Sequence, residues 1–305
     1  MSSFKEKLDK LATGGKPDAA SLKFLSDLTS EDRATLRDVW PRIPIDSRAR
    51  IISALATIAE DNIDYDFRRV FLNALEDANA NVRKGAIDGL AEDNSTLLLG
   101  RLLTLLRNDP DIGVREASAT ALGRFTYLAQ CNKLGMPSEG GRLRATLLES
   151  ARDRAEEDGV RRRAVESLGY FNQDKEVQEL IAGQYKRGER HAESALFAMG
   201  RTMDKEWSPI VMHELNNARP AMRYEAAHAA GEMALEDALP RLSELVDDPD
   251  LEVRLSAIWA LGQIGGKPAA EALSHALTSD NQAVREAAQE ALYEIAFSAN
   301  PMSVL

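Results

Sequence analysis

Four histidines, one cysteine and a recurring arginine are the side chains of this sequence best equipped for chemistry, and their spacing limits what they could do. Cys131 has no histidine near it in sequence, so no thiolate–imidazole pair is indicated. His213-Glu214 is the only adjacent His-Glu pair, and His213 and His275 share a position in a repeating frame two repeats apart. Stacked helices lie about 10 Å apart, so these two stand about 20 Å apart, too far to share a metal ion. No G-x-S-x-G elbow occurs, and Gly14-Gly15-Lys16 runs into Pro17 where a phosphate-binding loop needs Ser or Thr. The sequence therefore predicts no catalytic constellation, no metal site and no cofactor.

The arginines tempt an anion-binding reading. Arg83, Arg115, Arg161, Arg223, Arg254 and Arg285 all fill one slot of the same frame, however. A slot filled in repeat after repeat is a structural part, expected to pair with turn aspartates such as Asp77, Asp109, Asp248 and Asp280. A local basic cluster, Arg142 to Arg163, is interleaved with Glu149, Asp153, Glu156, Glu157 and Asp158, which suits a solvated helix face better than a phosphate site.

The elements that carry these residues follow from the frame. In Asp247-Asp248-Pro249-Asp250, Pro249 cannot continue a helix and the aspartates can cap the next one, which Gly265-Gly266 ends. Counting from Arg254, Ala257, Leu261, Gly262 and Ile264 form an apolar stripe at helical spacing. Steps of 31 residues link position 161 to 192, 223, 254 and 285, and the pattern returns around Arg115, Arg83 and Arg48, giving eight units. A second apolar helix follows in each, as in Leu99, Leu102, Leu103 and Leu106. A helix pair of this length cannot bury its apolar face alone, so copies must stack. The predicted fold is all-α, an α-solenoid or superhelix of about eight stacked antiparallel helix pairs.

The run D-x-P-D-x-x-V-R, then A and A-L-G, resembles the HEAT repeat, and the short unit is similar to the variety named after phycobilin lyases. The resemblance covers Glu31 to Phe297. It implies that the second helix of each pair lines a concave face. By that implication, offsets +1, +5 and +9 from the frame arginine face the groove. In the outer repeats they are charged: Lys84, Asp88 and Glu92, or Glu286, Glu290 and Glu294. In the middle they are Tyr170, Phe197, Tyr224, His228, Leu255 and Trp259, with Arg124, Arg162 and Arg201 nearby. Large aromatics beside arginines inside a charged rim are the material of an interaction hot spot. The alternative is that packing buries these rings. The two differ in expectation: if the rings form an exposed patch, alanine at Tyr224 and Trp259 leaves thermal stability nearly unchanged.

The domain reading is a helical cap over 1–30, a solenoid over 31–297 and a tail over 298–305. An inserted loop near 129–141 takes up a surplus, since Arg115 and Arg161 lie 46 apart. That loop is either a functional insertion or a tolerated one. A net charge of −11 opposes nucleic-acid binding. Met1 to Lys10 has no signal-peptide pattern and apolar runs such as Leu97-Leu98-Leu99 are cut by Arg101 far short of a span, so no membrane span and a cytoplasmic location are expected. The expected function is a non-enzymatic scaffold that binds a partner protein or peptide on the concave face. The family resemblance also implies an alternative, a bilin lyase-like enzyme or lyase subunit handling a tetrapyrrole.

Overall fold

The computed structural model describes residues 3–13 and 19–299. Among them every regular element is helical. They form two compact units divided between Arg161 and Arg162, each a stack of helix pairs, so the fold is an all-α solenoid.

The first unit opens with α1 (Phe4–Ala12), capped by Ser3, and α2 (Ala19–Leu22). Thr29 caps α3 (Ser30–Val39) in a reciprocal box with Asp32. Helices α4 (Ile45–Asp61), α5 (Arg68–Ala74), α6 (Ala80–Asp88) and α7 (Thr96–Asn108) follow. Then come α8 (Ile112–Gln130) and α9 (Pro137–Arg152). Helix α10 (Asp158–Leu168) contains the division between the units. The second unit continues with α11 (Lys175–Tyr185), α12 (Glu189–Thr202), α13 (Ser208–Glu214) and α14 (Pro220–Glu232). It closes with α15 (Leu239–Leu245), α16 (Leu251–Ile264), α17 (Gly266–Ala276) and α18 (Gln282–Ala299).

The frame arginines are internal parts. Arg83 and Arg223 are 7% exposed and grip Asp109 and Asp248 with two hydrogen bonds each, of 2.6–2.7 and 2.7–2.8 Å. Arg48 reaches Asp77 at 2.6 Å, and the Trp40 indole donates to the same carboxylate oxygen. In each case the aspartate belongs to the turn of the following repeat. The arginine's Nη1 then donates to the carbonyl six residues behind it: Arg83 to Asp77, Arg115 to Asp109, Arg223 to Asn217, Arg254 to Asp248 and Arg285 to Ser279. One guanidinium thus ties its own turn to the next one. Arg115 takes Glu156 in place of an aspartate.

Asp280 does not join this ladder. The residue 25 positions after Arg223 is Asp248, and the residue 25 after Arg254 is Ser279. Ser279 also reproduces the turn bond of Asp248, accepting from the Asn281 amide as Asp248 accepts from Asp250. Arg254 is left with a buried Nε that has no partner among the described residues.

Glycines set how closely the second helices approach. A Cβ on Gly169, Gly200, Gly231 or Gly262 would lie 2.8–2.9 Å from the Ala198, Ala229, Ala260 or Ala291 of the following helix, inside contact distance. This glycine-on-alanine contact recurs every 31 residues and is the point about which the second unit's layers are packed.

Two expectations about the chain's organisation are corrected. The surplus between Arg115 and Arg161 is taken up mainly by helix, because α8 runs to Gln130 and α9 starts at Pro137, leaving only 131–136 between them. Gly140 and Gly141 lie inside α9, started by a proline at its first position. Ser298 and Ala299 belong to α18 rather than to a tail. Residues 14–18 within the expected cap and the rest of the tail fall outside the described residues. No described helix is long and apolar enough to cross a membrane.

Candidate functional site

The second unit places its offset +5 residues in one column because the period is 31 and the helices stack in register. Phe197 on α12, His228 on α14 and Trp259 on α16 are those residues. The Phe197 and His228 rings are 6.3 Å apart and inclined by 17°, and His228 and Trp259 are 4.3 Å apart and nearly parallel at 7°. Arg201, one turn beyond Phe197, lies over both Phe197 and Tyr170, its ζ carbon 4.3 and 4.9 Å from their centroids. The result is a continuous ladder: Tyr170, Arg201, Phe197, His228, Trp259. All five are half-buried, so the ladder is packed within itself yet keeps part of its surface open to solvent. Gly231 makes room for Trp259, whose Cζ3 lies 2.7 Å from where a Cβ would be. Ring stacking adds about 0.5–1.5 kcal/mol per pair beyond area burial.

Tyr224 and Leu255 are half-buried on α14 and α16 but stand outside the ladder. Tyr224 touches the next helix through its backbone carbonyl, which accepts from the Ser256 hydroxyl. Arg162 donates to Ser194 Oγ at 3.2 Å. Arg124 belongs to the first unit. Its guanidinium covers the Phe125 ring and donates to the carbonyls of Leu90 and Asp93, closing the turn after α6. The arginines expected to greet a partner are therefore occupied within the fold.

Beside these residues lies a group of buried acids that sequence reasoning missed. Glu225 sits on α14 beside Glu166 and Glu193, and burial, with those two carboxylates, pushes its carboxyl up to about 8. Its Oε2 is buried and has no hydrogen-bond partner among the described residues. Glu232 is also raised by burial, with Arg201 partly opposing, and its Oε2 is likewise unpartnered. Glu193 is held by Arg219 at 2.5 Å, and Glu166 by Arg163 at 2.6 Å. His228 is lowered by burial and by Arg201, so at neutral pH it stacks as an uncharged ring. The signal was present in the acids Glu166, Glu193 and Glu232 at the three outward offsets. Glu225 itself, one position off that face, gave none.

The other chemistry-bearing residues stay apart. His213 is exposed beside Glu214, which accepts from the Tyr185 hydroxyl; burial first, and then Glu214, push that phenol up to about 12. His275 meets Asp247 at 3.2 Å. Cys131 is exposed. No group of three or more His, Cys, Asp and Glu among the described residues is placed to hold a metal ion.

Residues 68–137 and 208–293 match the family model described as HEAT repeats. No curated protein matches the chain in sequence. In structure it is similar to the complex of CpcE and CpcF of phycocyanin lyase from Nostoc sp. PCC7120, at 19% identity and a TM-score of 0.54, over 78% of this chain and 94% of that one. It is also similar to a structure of Kap95p with RanGDP, at 16% identity and a TM-score of 0.50, over 96% of this chain and 45% of that one. At these identities the likeness is one of fold.

Proposed function

Since the chain belongs to the HEAT-repeat family, we propose that it is a non-enzymatic scaffold whose second unit binds a segment of a partner protein along the concave face of its second helices. The observation that carries this is the half-exposed ladder from Tyr170 to Trp259, flanked by Tyr224 and Leu255. Rigid, pre-stacked rings lose little entropy when a partner covers their open edges, which is why such side chains dominate binding energy at interfaces. Kap95p is a HEAT-like relative in fold whose structure contains a protein partner, RanGDP, which is in keeping with such a role.

The alternative, a bilin lyase-like enzyme or lyase subunit, draws on the fold shared with CpcE and CpcF. The side chains of this face do not favour it. An acidic tetrapyrrole needs free cations, and here Arg201 is sandwiched between Tyr170 and Phe197 and Arg162 is hydrogen-bonded to Ser194.

The test is a quantitative pull-down from lysate of the source organism, wild type beside a Phe197→Ala, Trp259→Ala double variant, with melts of both. A partner retained by the wild type and lost from a folded variant is expected. The same partners on both baits would refute the face.

A further inference from the structure

The first unit contains a cleft of about 620 Å³. Its origin is a difference in helix length. The second helices of successive repeats run in register from their frame arginines. Helix α4 continues 13 residues past Arg48 and α8 continues 15 past Arg115, but α6 stops 5 past Arg83. About 12 Å of helix is therefore missing beside the end of α4. The chain turns at Gly89 instead, where a Cβ would lie 2.5 Å from the Phe71 ring. The last turns of α4 overhang a notch that no neighbouring helix fills.

The notch is apolar at its base and acidic at its rim. Ala56, Ala59, Phe67, Phe71, Leu90 and Ala91 line it, and Ile63 at its lip is 97% exposed. Five carboxylates border it: Glu60 on α4, Asp66 in the following loop, Asp88 on α6, and Glu92 and Asp93 in the next turn. Among the described residues the lining's cation, Arg68, is committed to Asp93 and Ser95, and the adjoining Arg124 guanidinium to the carbonyls of Leu90 and Asp93. Nearby, the Lys23 ammonium lies over the Tyr65 ring. Glu60, Asp88 and Glu92 form no ion pair closer than 4.0 Å with any described residue. Burial raises the Asp88 carboxyl, with Lys84 only partly offsetting it.

We propose that this cleft is a second binding site, distinct from the aromatic face, that takes from a partner polypeptide an apolar side chain flanked by lysine or arginine. The apolar base calls for an uncharged anchor, as ligand sites of this volume generally do. The rim carboxylates stand on separate elements around that base. A single amine cannot reach them all, whereas cations on both sides of an anchoring residue can. The same rim repels an acidic ligand.

The probe is a fluorescein-labelled hexapeptide, Lys-Lys-Trp-Leu-Lys-Lys, titrated with the full chain by fluorescence anisotropy, with Glu-Glu-Trp-Leu-Glu-Glu as the charge-reversed control. The basic peptide is expected to bind, more weakly as salt rises, and the acidic one not to bind. The triple variant Glu60→Gln, Asp88→Asn, Glu92→Gln should lose about tenfold in affinity. Ala91→Trp, at an exposed position that fills the cleft, should lose as much without any change of charge. Neutralising Glu286, Glu290 and Glu294 on α18 should change nothing. No binding of the basic peptide, equal binding of both peptides, or equal loss from the α18 variant overturns the proposal. So does full affinity in a folded Ala91→Trp protein.

Discussion

Ser279→Asp should stabilise this protein. Arg223 and Arg254 occupy the same slot of successive repeats, and both donate to the carbonyl six residues behind them. Arg223 also closes a two-bond pair with Asp248, while the position equivalent to Asp248 in the repeat after Arg254 is Ser279 and Arg254 keeps a buried, unpartnered Nε. The desolvation of Arg254 is thus already incurred in the native state, and a carboxylate at position 279 would collect the hydrogen bonds without a further burial cost of the arginine. Hydrogen bonds to charged groups contribute about 1.5–3 kcal/mol each. Arg254 is only half-buried, which reduces this to a net gain of about 1–2 kcal/mol. The converse change, Asp248→Ser, strands the buried Arg223 guanidinium and should cost about 3–5 kcal/mol. Urea unfolding followed by circular dichroism measures both, with hydrogen exchange of α14 to α18 to localise them, since stacked repeats need not unfold as one cooperative step. Asp248 is held below the ordinary carboxylate range chiefly by its bond to Arg223, working against burial. Its contribution is therefore present above the unfolded pKa and lost as pH falls through the depressed folded value, so the gap between wild type and Asp248→Ser should narrow in acid. A neutral or destabilising Ser279→Asp, or an Asp248→Ser no worse than Asp280→Ala, would refute the ladder as described.

Four further outcomes follow, three of them in the second unit and one on α7 of the first. Glu225 titrates near 8 in the fold against 4.5 when exposed, so its contribution is fully present below about 4.5 and lost as pH rises through about 8. Denaturation midpoints should decline across that window, and Glu225→Gln should flatten the decline. Trp259→Ala removes a ring stacked on His228 and should cost about 1–2 kcal/mol. It should also let the His228 resonance titrate closer to 6.5 by NMR, because burial is what lowers it. Gly231→Ala presses a methyl group onto the Ala260 backbone and should cost about 1–3 kcal/mol in the same urea assay. Gly100→Ala, in a helix with nothing within 4 Å, should instead stabilise by about 0.4–1 kcal/mol.

The helical layers and the aromatic ladder were legible in the sequence because both are consequences of period. A step of 31 residues put Phe197, His228 and Trp259 on one face, and stacking in register made that face a column. Features that depend on where an element ends were not legible. Nothing in the glycines at 140 and 141 announces that α9 runs through them, since a proline start and tertiary packing override a weak propensity. The short α6 and the cleft it leaves depend on Phe71 lying against Gly89, a contact between residues 18 apart that no periodic reading contains. Charge was misjudged for a related reason. Arg124, Arg162 and Arg201 look available in a list of outward offsets, but long side chains reach sideways, and each finds a carbonyl, hydroxyl or ring in its own repeat or the adjoining one. Assigning Asp280 rather than Ser279 to the arginine ladder was a one-residue error of register that the turn's hydrogen bonds correct.

The most direct test of the aromatic face as a binding surface is site-specific photo-crosslinking in the source organism. Benzoylphenylalanine would replace Tyr224 or Leu255, which flank the ladder without belonging to it, and the exposed Glu244 on α15 would serve as the control position. The expected result is one covalent adduct shared by positions 224 and 255 and absent at 244, with mass spectrometry placing the joined partner peptide. Adducts at 244 alone, or none at 224 and 255 in a folded and expressed protein, would contradict the aromatic face as the binding surface.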